Sequence, residues 1–346
     1  MSATTSMHDV QLSILNDLAY SYASNAIDGL GMFSDARPIR VDDLYIRGKI
    51  LKDQQNAFAR LLDLCVTSGV LDQNENGEYL RTRPWLQLPS DEKISILQPG
   101  MSDSKPLFEF VNEFGRAVPA ILSGKRHAAE LLFRGGGLDT ALRLYEETPP
   151  FKYCNTVASQ VMAELSRLMS QRGRLRVVEI GAGTGATTRA VLSNPDASIS
   201  SYLFTDISSF FLTSAQTLFK AYPFLDYSVL NIEEPPPGGL LGAFEVVIAA
   251  HVLHATRNIE ETLRHVRKLL VDGGLLILLE ETKMQPFFAV TMGMQTGFDR
   301  FSDAPLRTRH PLLTSSQWQE AALRCGFAKF EALPEVMGIC PILIGA

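Results

Sequence analysis

Val177-Val-Glu-Ile-Gly-Ala-Gly-Thr-Gly-Ala-Thr-Thr188 is the stretch that decides the fold. Val177, Val178 and Ile180 read as a buried strand. Gly181, Gly183 and Gly185 form a turn, and a helix begins from Thr187. Glycine permits backbone conformations and close approaches that a side chain forbids. The helix N-terminus behind the turn offers free N–H groups to a polar or anionic partner. A nucleotide-like cofactor is expected here. The bland alternative is a strand–helix turn that binds nothing.

Two cofactors fit the turn. Gly181-x-Gly183-x-x-Ala186 matches the dinucleotide fingerprint. S-adenosylmethionine (SAM) is favoured by Glu179, two residues before the first glycine, where a carboxylate can receive the cofactor's cationic amino group. The Gly-x-Gly-x-Gly alternation and the end of the chain favour it too.

The 346 residues suffice for a large core and two domains. A content of 46% hydrophobic and 20% charged residues is that of a globular protein. No apolar run reaches the ~18–20 residues that span a bilayer, and residues 1–9 lack a secretory pattern. Cys65, Cys154, Cys325 and Cys340 are scattered, which suits buried thiols in a reducing cytoplasm. A net charge of −6 opposes nucleic-acid binding. Basic groups at Arg172/Arg174/Arg176, Arg264/Arg267/Lys268 and Arg300/Arg307/Arg309 read mostly as solvated faces, one of which can receive an acidic carrier protein.

Residues 1–150 read as a helical lid or substrate domain, and 151–346 as a cofactor-binding core. In the first, Leu12–Ile27 and Gln54–Val70 carry helical periodicity. Asn76-Gly77 then signals a hairpin, giving a winged-helix-like segment without a basic surround. Pro106–Leu132 reads as one further helical block, closed by Gly135-Gly-Gly. Helices at 138–145 and 151–169 flank Pro149-Pro150. From Arg174 strands alternate with helices: strands at 175–180, 201–205, 226–230, 244–249 and 275–280, with Gly273-Gly274 ending the helix before the last. Such alternation predicts a doubly wound parallel sheet. Strands at 329–335 and 338–344 are too closely spaced for a parallel crossover and must pair antiparallel. The predicted fold is α/β, a mostly parallel seven-stranded Rossmann-like sheet with an antiparallel C-terminal strand, of the class I SAM-dependent methyltransferase type.

Asp206 ends the second strand about 25 positions after Gly181, where an acidic group meets ribose hydroxyls ~20 residues on in nucleotide folds. Asn231 and Ile232, after the third strand, either hold and pack the adenine or simply make a turn. The fourth strand ends Ala249-Ala-His251-Val-Leu-His254, the fifth Leu278-Leu-Glu280-Glu281. Neighbouring strand tips thus bring imidazole and carboxylate to the ligand end of the sheet. His254 is the expected general base, and Glu280 the group that orients it.

Glu179-Ile-Gly-Ala-Gly-Thr-Gly, Phe204-Thr-Asp-Ile-Ser, Val252-Leu-His-Ala-Thr, His265-Val-Arg-Lys-Leu-Leu, Leu278-Leu-Glu280 and Arg309-His-Pro-Leu-Leu together resemble the methyltransferase domains of polyketide synthases. The resemblance covers the C-terminal two-thirds well and the helical region weakly. It implies methyl transfer from SAM to the α-carbon of an acyl thioester, malonyl among them, on an acyl carrier protein, with neighbouring synthase domains as further partners. It also implies a His254–Glu280 dyad and a helical lid over a substrate tunnel. O-methylation of a β-hydroxyl and a non-catalytic docking domain are the competing readings. Tyr153 and Asn155 either line the tunnel or pack. The chain departs from the pattern at His251, Gln295 and Asp299, where those domains carry Asn, Leu and Trp. This trio either holds Mn²⁺ or Fe, as some loading-module members hold a metal, or hydrogen-bonds substrate or its own members.

Overall fold

Seven strands with the glycine turn near their centre organise the C-terminal part of the chain. The computed structural model describes residues 3–33, 37–133, 137–170 and 173–346. Arg172 and the Gly135-Gly136 break expected above lie outside the described residues. Two units form: residues 1–148 with 284–299, and residues 149–283 with 300–346. The excursion at 284–299, which the sequence reading had assigned to the core, belongs to the first unit.

In the first unit, helix Gln55–Thr67 buries Phe58, Leu61, Leu62 and Cys65 at helical spacing. The hairpin β2 (Leu71–Gln73) and β3 (Glu78–Arg81) follows. Its turn is tied by Asn74, whose Oδ1 accepts from the Asn76 and Glu78 amides. A short strand that periodicity did not reveal, β1 (Ile39–Arg40), pairs with β3 to give the order β1-β3-β2. The expected block 106–132 is two helices, Lys105–Leu122 and Ala129–Leu132. Arg60 anchors the returning segment. Its Nη1 meets Asp299 Oδ1 at 2.6 Å, its Nη2 donates to the Gly293 carbonyl at 2.5 Å, and its guanidinium lies over Phe298.

The second unit opens with helix Pro149–Leu168, whose two prolines occupy the first turn, where a missing N–H costs nothing. Its strands are β4 (Leu175–Ile180), β5 (Ile199–Asp206), β6 (Leu225–Val229), β7 (Phe244–Ala250), β8 (Leu270–Glu281), β9 (Lys329–Ala332) and β10 (Ile339–Gly345). Their order is β6-β5-β4-β7-β8-β10-β9. β4 to β8 run parallel, and β10 pairs antiparallel with both β8 and β9. Val177, Val178, Val246, Val247, Ile248, Leu276, Ile277 and Leu278 are all fully buried, as strands covered on both faces require. Trp318 and Ile342 belong to one core cluster with Val178, Val247, Leu276 and Leu278.

One expectation fails at Gly273-Gly274. Helix Ile259–Leu269 ends directly before β8, and both glycines lie inside that strand. The partner of Phe244 is Leu270, but the partner of Val246 is Leu275. The surplus residues bulge from β8, with Gly273 at φ +76°. The order reverses between β4 and β7. That switch point is where open parallel sheets bind ligands, at the carboxyl ends of their strands.

Candidate active site

The three turn glycines all have positive φ, +59° at Gly181, +54° at Gly183 and +78° at Gly185. A Cβ on Gly181 would lie 2.4 Å from Val252 Cγ2, and one on Gly185 2.7 Å from Phe219. At Gly183 it would meet only the Gly181 carbonyl, at 3.8 Å. The turn is therefore packed behind and open at its middle glycine, a cradle that fits a close-lying cofactor. The Gly181–Val252 contact also sets this turn directly against the loop that carries His254.

Acidic strand ends brace the cradle. Asp206 is 6% exposed; its Oδ2 accepts from the Gly183 amide at 3.0 Å and its Oδ1 from the Ser208 amide at 2.8 Å. Burial raises its pKa, against those amide hydrogen bonds. Ile207, beside it at the tip of β5, is 63% exposed, an apolar face that sequence reading overlooked. Glu179 is fully buried, and its carboxylate accepts from the hydroxyls of Thr188 and Tyr202. Burial lifts its pKa to about 7, although both hydroxyls favour the ionised form. Asn231 Oδ1 accepts from the Glu233 amide in a local turn, and Ile232 is buried with its carbonyl 2.9 Å from His265 Nδ1. Asn155 Oδ1 accepts from Thr187 Oγ1 at 2.8 Å, which ties helix Pro149–Leu168 to the start of the helix after the turn. Tyr153 is half-buried on the same helix.

The β7 and β8 tips meet in a buried imidazole–carboxylate pair. His254 lies in a short 3₁₀ turn, Leu253–Ala255. Its Nδ1 is 2.5 Å from Glu280 Oε2. The other oxygen of Glu280 accepts from the Leu253 amide at 2.8 Å and the His254 amide at 3.3 Å. Glu280 thus fixes both the backbone and the ring of its partner. Burial disfavours the imidazolium, but the Glu280 charge and hydrogen bond, helped by Glu281, outweigh it and lift His254 to about 9.

A second pair lies beside the first. His251 Nδ1 is 2.9 Å from Glu281 Oε1, and Glu281 Oε2 is 3.6 Å from His254 Nδ1. Burial works against the charge of Glu281, but His251 and then His254 hold its carboxyl well below the usual carboxylate range. His251 has φ +55°, a left-handed conformation tolerated best by Gly, Asn, Asp and His. Its ring meets Phe151 edge-on at 4.8 Å. Gln295 and Asp299 belong to the other unit, where Asp299 is held by Arg60. Among the described residues, one group of three acidic, His or Cys side chains brings its ligand atoms within 4.8 Å of one another: His254, Glu280 and Glu281.

Arg307 is a functional candidate that sequence reading passed over as part of a solvated face. Its side chain is fully buried and donates to the carbonyls of His254, Thr256 and Arg257. Arg300 is likewise engaged, with Glu233 and the Ala255 carbonyl. All four cysteines are buried free thiols. Among the described residues no helix is long and apolar enough to cross a membrane.

Strand order, glycine cradle and acidic strand ends define a class I SAM-dependent methyltransferase, and residues 178–276 match the family model described as a methyltransferase domain. More particularly, the chain is similar to the methyltransferase domains of polyketide synthases. It is 34% identical over 275 residues to the non-reducing polyketide synthase sorB of Penicillium rubens, covering 75% of this chain and 10% of that protein. To the polyketide synthase ThaQ of Burkholderia thailandensis it is 37% identical over 221 residues, covering 61% of this chain and 11% of that protein. The solved CurJ carbon methyltransferase superposes with a TM-score of 0.92 at 28% identity, covering 99% of this chain and 93% of that one. The chain spans about a tenth of the length of the synthases it matches.

Proposed function

We propose that this chain methylates the α-carbon of an acyl thioester carried on an acyl carrier protein, as one domain working with others of a cytoplasmic polyketide synthase. The observation that carries the proposal is the buried His254–Glu280 pair on a loop packed against the glycine cradle. Likeness to the solved CurJ and DszA carbon methyltransferases supports transfer to carbon.

In this reading Gly181, Gly183 and Gly185 would hold SAM. Asp206 accepts from its ribose hydroxyls with the lone pairs left over from Gly183 and Ser208. Glu179 draws its amino group electrostatically, while Asn231, Ile232 and the exposed Ile207 receive the adenine. When bound, SAM supplies an electrophilic methyl on a positively charged sulfur. The protein's own part is the proton. With Nδ1–H held by Glu280, Nε2 of His254 takes the α-proton of the thioester, and Glu280 stabilises the resulting imidazolium. Tyr153 and Asn155 line the acyl path.

The neutral imidazole is the form that takes the α-proton, so the Glu280 charge that holds the imidazolium also raises the pH at which the base becomes available. A Mn²⁺ or Fe ion on His251, Gln295 and Asp299 would polarise a thioester or malonyl carboxylate. His251 and Asp299 also hold charged partners, Glu281 and Arg60, and a carboxylate on the far nitrogen of a histidine is compatible with a metal on the near one.

Incubation of acetoacetyl-, malonyl- and β-hydroxybutyryl-loaded carrier protein with SAM and this chain, followed by fragmentation of the acyl group, tests the reading. A methyl on the α-carbon supports it. A methyl on oxygen of a β-hydroxyacyl carrier points to the O-methyl alternative, and failure to bind SAM to a docking domain.

A further inference from the structure

We propose that Arg307 is a positioning residue, whose guanidinium holds the carbonyls of the His254 turn so that the imidazole stays seated on Glu280. The proposal rests on the reading of His254 as the base. Nothing in the spacing of the sequence suggests it, since Arg307 lies 53 positions from His254.

The geometry is that of a fully used fork. Nε donates to Asp303 Oδ1 at 2.7 Å. Nη1 donates to the His254 carbonyl at 2.8 Å and to the Pro311 carbonyl at 3.5 Å. Nη2 donates to the carbonyls of Thr256 at 2.8 Å and Arg257 at 2.9 Å. Arginine offers five donors in one rigid plane, and each has an acceptor here. Asp303 extends the tie, since its Oδ2 accepts from the Ile259 amide at the start of helix Ile259–Leu269. The Ser302 amide adds a bond to the Arg257 carbonyl at 2.8 Å.

The loop is consequently gripped from two sides. Glu280 holds its amides at Leu253 and His254, and Arg307 holds its carbonyls from His254 onward. A buried lysine could supply the charge but not the fork. Its three donors on a flexible stem cannot reach carbonyls spread over four residues in one plane. Arg307 also acts on the ring electrically. The charged groups that face His254 are Glu280 and Glu281 from β8 and Arg307 from the loop beyond Arg300, with His251 behind Glu281. Of these Arg307 opposes the imidazolium and so keeps the base from being tied too firmly to its proton.

The test is steady-state transfer from SAM to acetoacetyl-loaded carrier protein by the wild type, Arg307→Lys, Arg307→Gln and His254→Ala, with SAM affinity measured by calorimetry. Misplacing a reacting group by ~1 Å costs about 100-fold in rate, so Arg307→Lys is expected to lose about that in kcat, with KM and SAM affinity changing less than about threefold. Arg307→Gln lacks the charge, so the limb on which kcat rises with pH moves to higher pH; in Arg307→Lys it stays in place. Should Arg307→Lys not fold, Asp303→Asn, which loosens Nε but keeps the guanidinium, is expected to give the same split at smaller amplitude. Unchanged kcat in folded Arg307→Lys overturns the proposal. Turnover retained in His254→Ala removes the base itself and both readings with it, whereas an inactive His254→Ala beside a fully active Arg307→Lys removes this one alone.

Discussion

Glu280→Gln is the perturbation that separates charge from shape at the dyad. The amide keeps an oxygen for the Leu253 and His254 amides, so the loop backbone retains its anchor. Two things change at the ring. The charge that does most to overcome burial disappears, leaving Glu281 alone to favour the imidazolium, and His254 falls from about 9 toward its ordinary value. A complete return to 6.5 would be worth about 3 kcal/mol between the two protonation states, which bounds the change. In addition, the amide N–H₂ now faces Nδ1, which turns Nδ1 into an acceptor and places the proton on Nε2. An imidazole in that tautomer cannot take a proton at Nε2, and the analogous loss in a Ser-His-Asp triad is about 10⁴-fold. We expect kcat to fall by about 10³-fold or more with SAM affinity unchanged. The stability profile gives a second readout. A histidine raised to about 9 binds its proton more tightly folded than unfolded, so its contribution is complete below pH 6.5 and is lost as pH rises toward 9. Denaturant unfolding of the wild type between those values should show stability falling with pH, and Glu280→Gln should flatten that slope. A wild-type rate in Glu280→Gln, or an unchanged slope, would refute the reasoning.

Asp206→Ala should weaken SAM binding by about 10- to 100-fold, the range of one or two hydrogen bonds, whereas Asp206→Asn, which keeps an acceptor for the Gly183 amide, should lose less; equal affinities would remove the ribose role. Glu179 has its pKa raised to about 7 by burial, so its ionisation costs stability above that pH. Glu179→Gln is therefore expected to raise Tm at pH 8 while weakening SAM binding, and an unaltered SAM affinity would confine Glu179 to bracing the turn. Gly181→Ala places a Cβ 2.4 Å from Val252 at positive φ. It should cost about 2 kcal/mol or more of stability and disturb both cofactor and catalytic loops, visible as lower Tm with lower kcat. Chelator treatment should leave transfer unchanged; activity lost to chelator and restored by Mn²⁺ would instead support an ion on His251, Gln295 and Asp299.

What could be read from the chain was local or fixed by connection length. β4, β7 and β8 are covered on both faces at their centres, so Val177–Val178, Val246–Ala250 and Leu275–Leu279 stand out as apolar runs, and the short link before β10 demanded antiparallel pairing. Gly273-Gly274 misled because a glycine pair that ends a helix looks the same in sequence as one that bulges a strand. The return of residues 284–299 to the first unit was hidden because its anchor, Arg60, lies more than 200 positions away. The site divides in the same way. Strand ends announce His254, Glu280 and Asp206, since a polar residue closing an apolar run is conspicuous. Tyr202 and Thr188, which hold Glu179, carry no pattern of their own. Arg307 and Asp303 lie in an irregular segment, and their role exists only through carbonyls of a loop about 50 positions earlier.

The central claim is that this chain builds a carbon–carbon bond with His254 as the base. Intact-protein mass spectrometry of acetoacetyl-loaded carrier protein, incubated with SAM and either wild type or His254→Ala, tests it most directly. The account predicts a gain of one CH₂ mass with wild type, located on the α-carbon by fragmentation, and none with a His254→Ala protein that still binds SAM. An equal gain from both proteins, or a methyl located on oxygen, contradicts it.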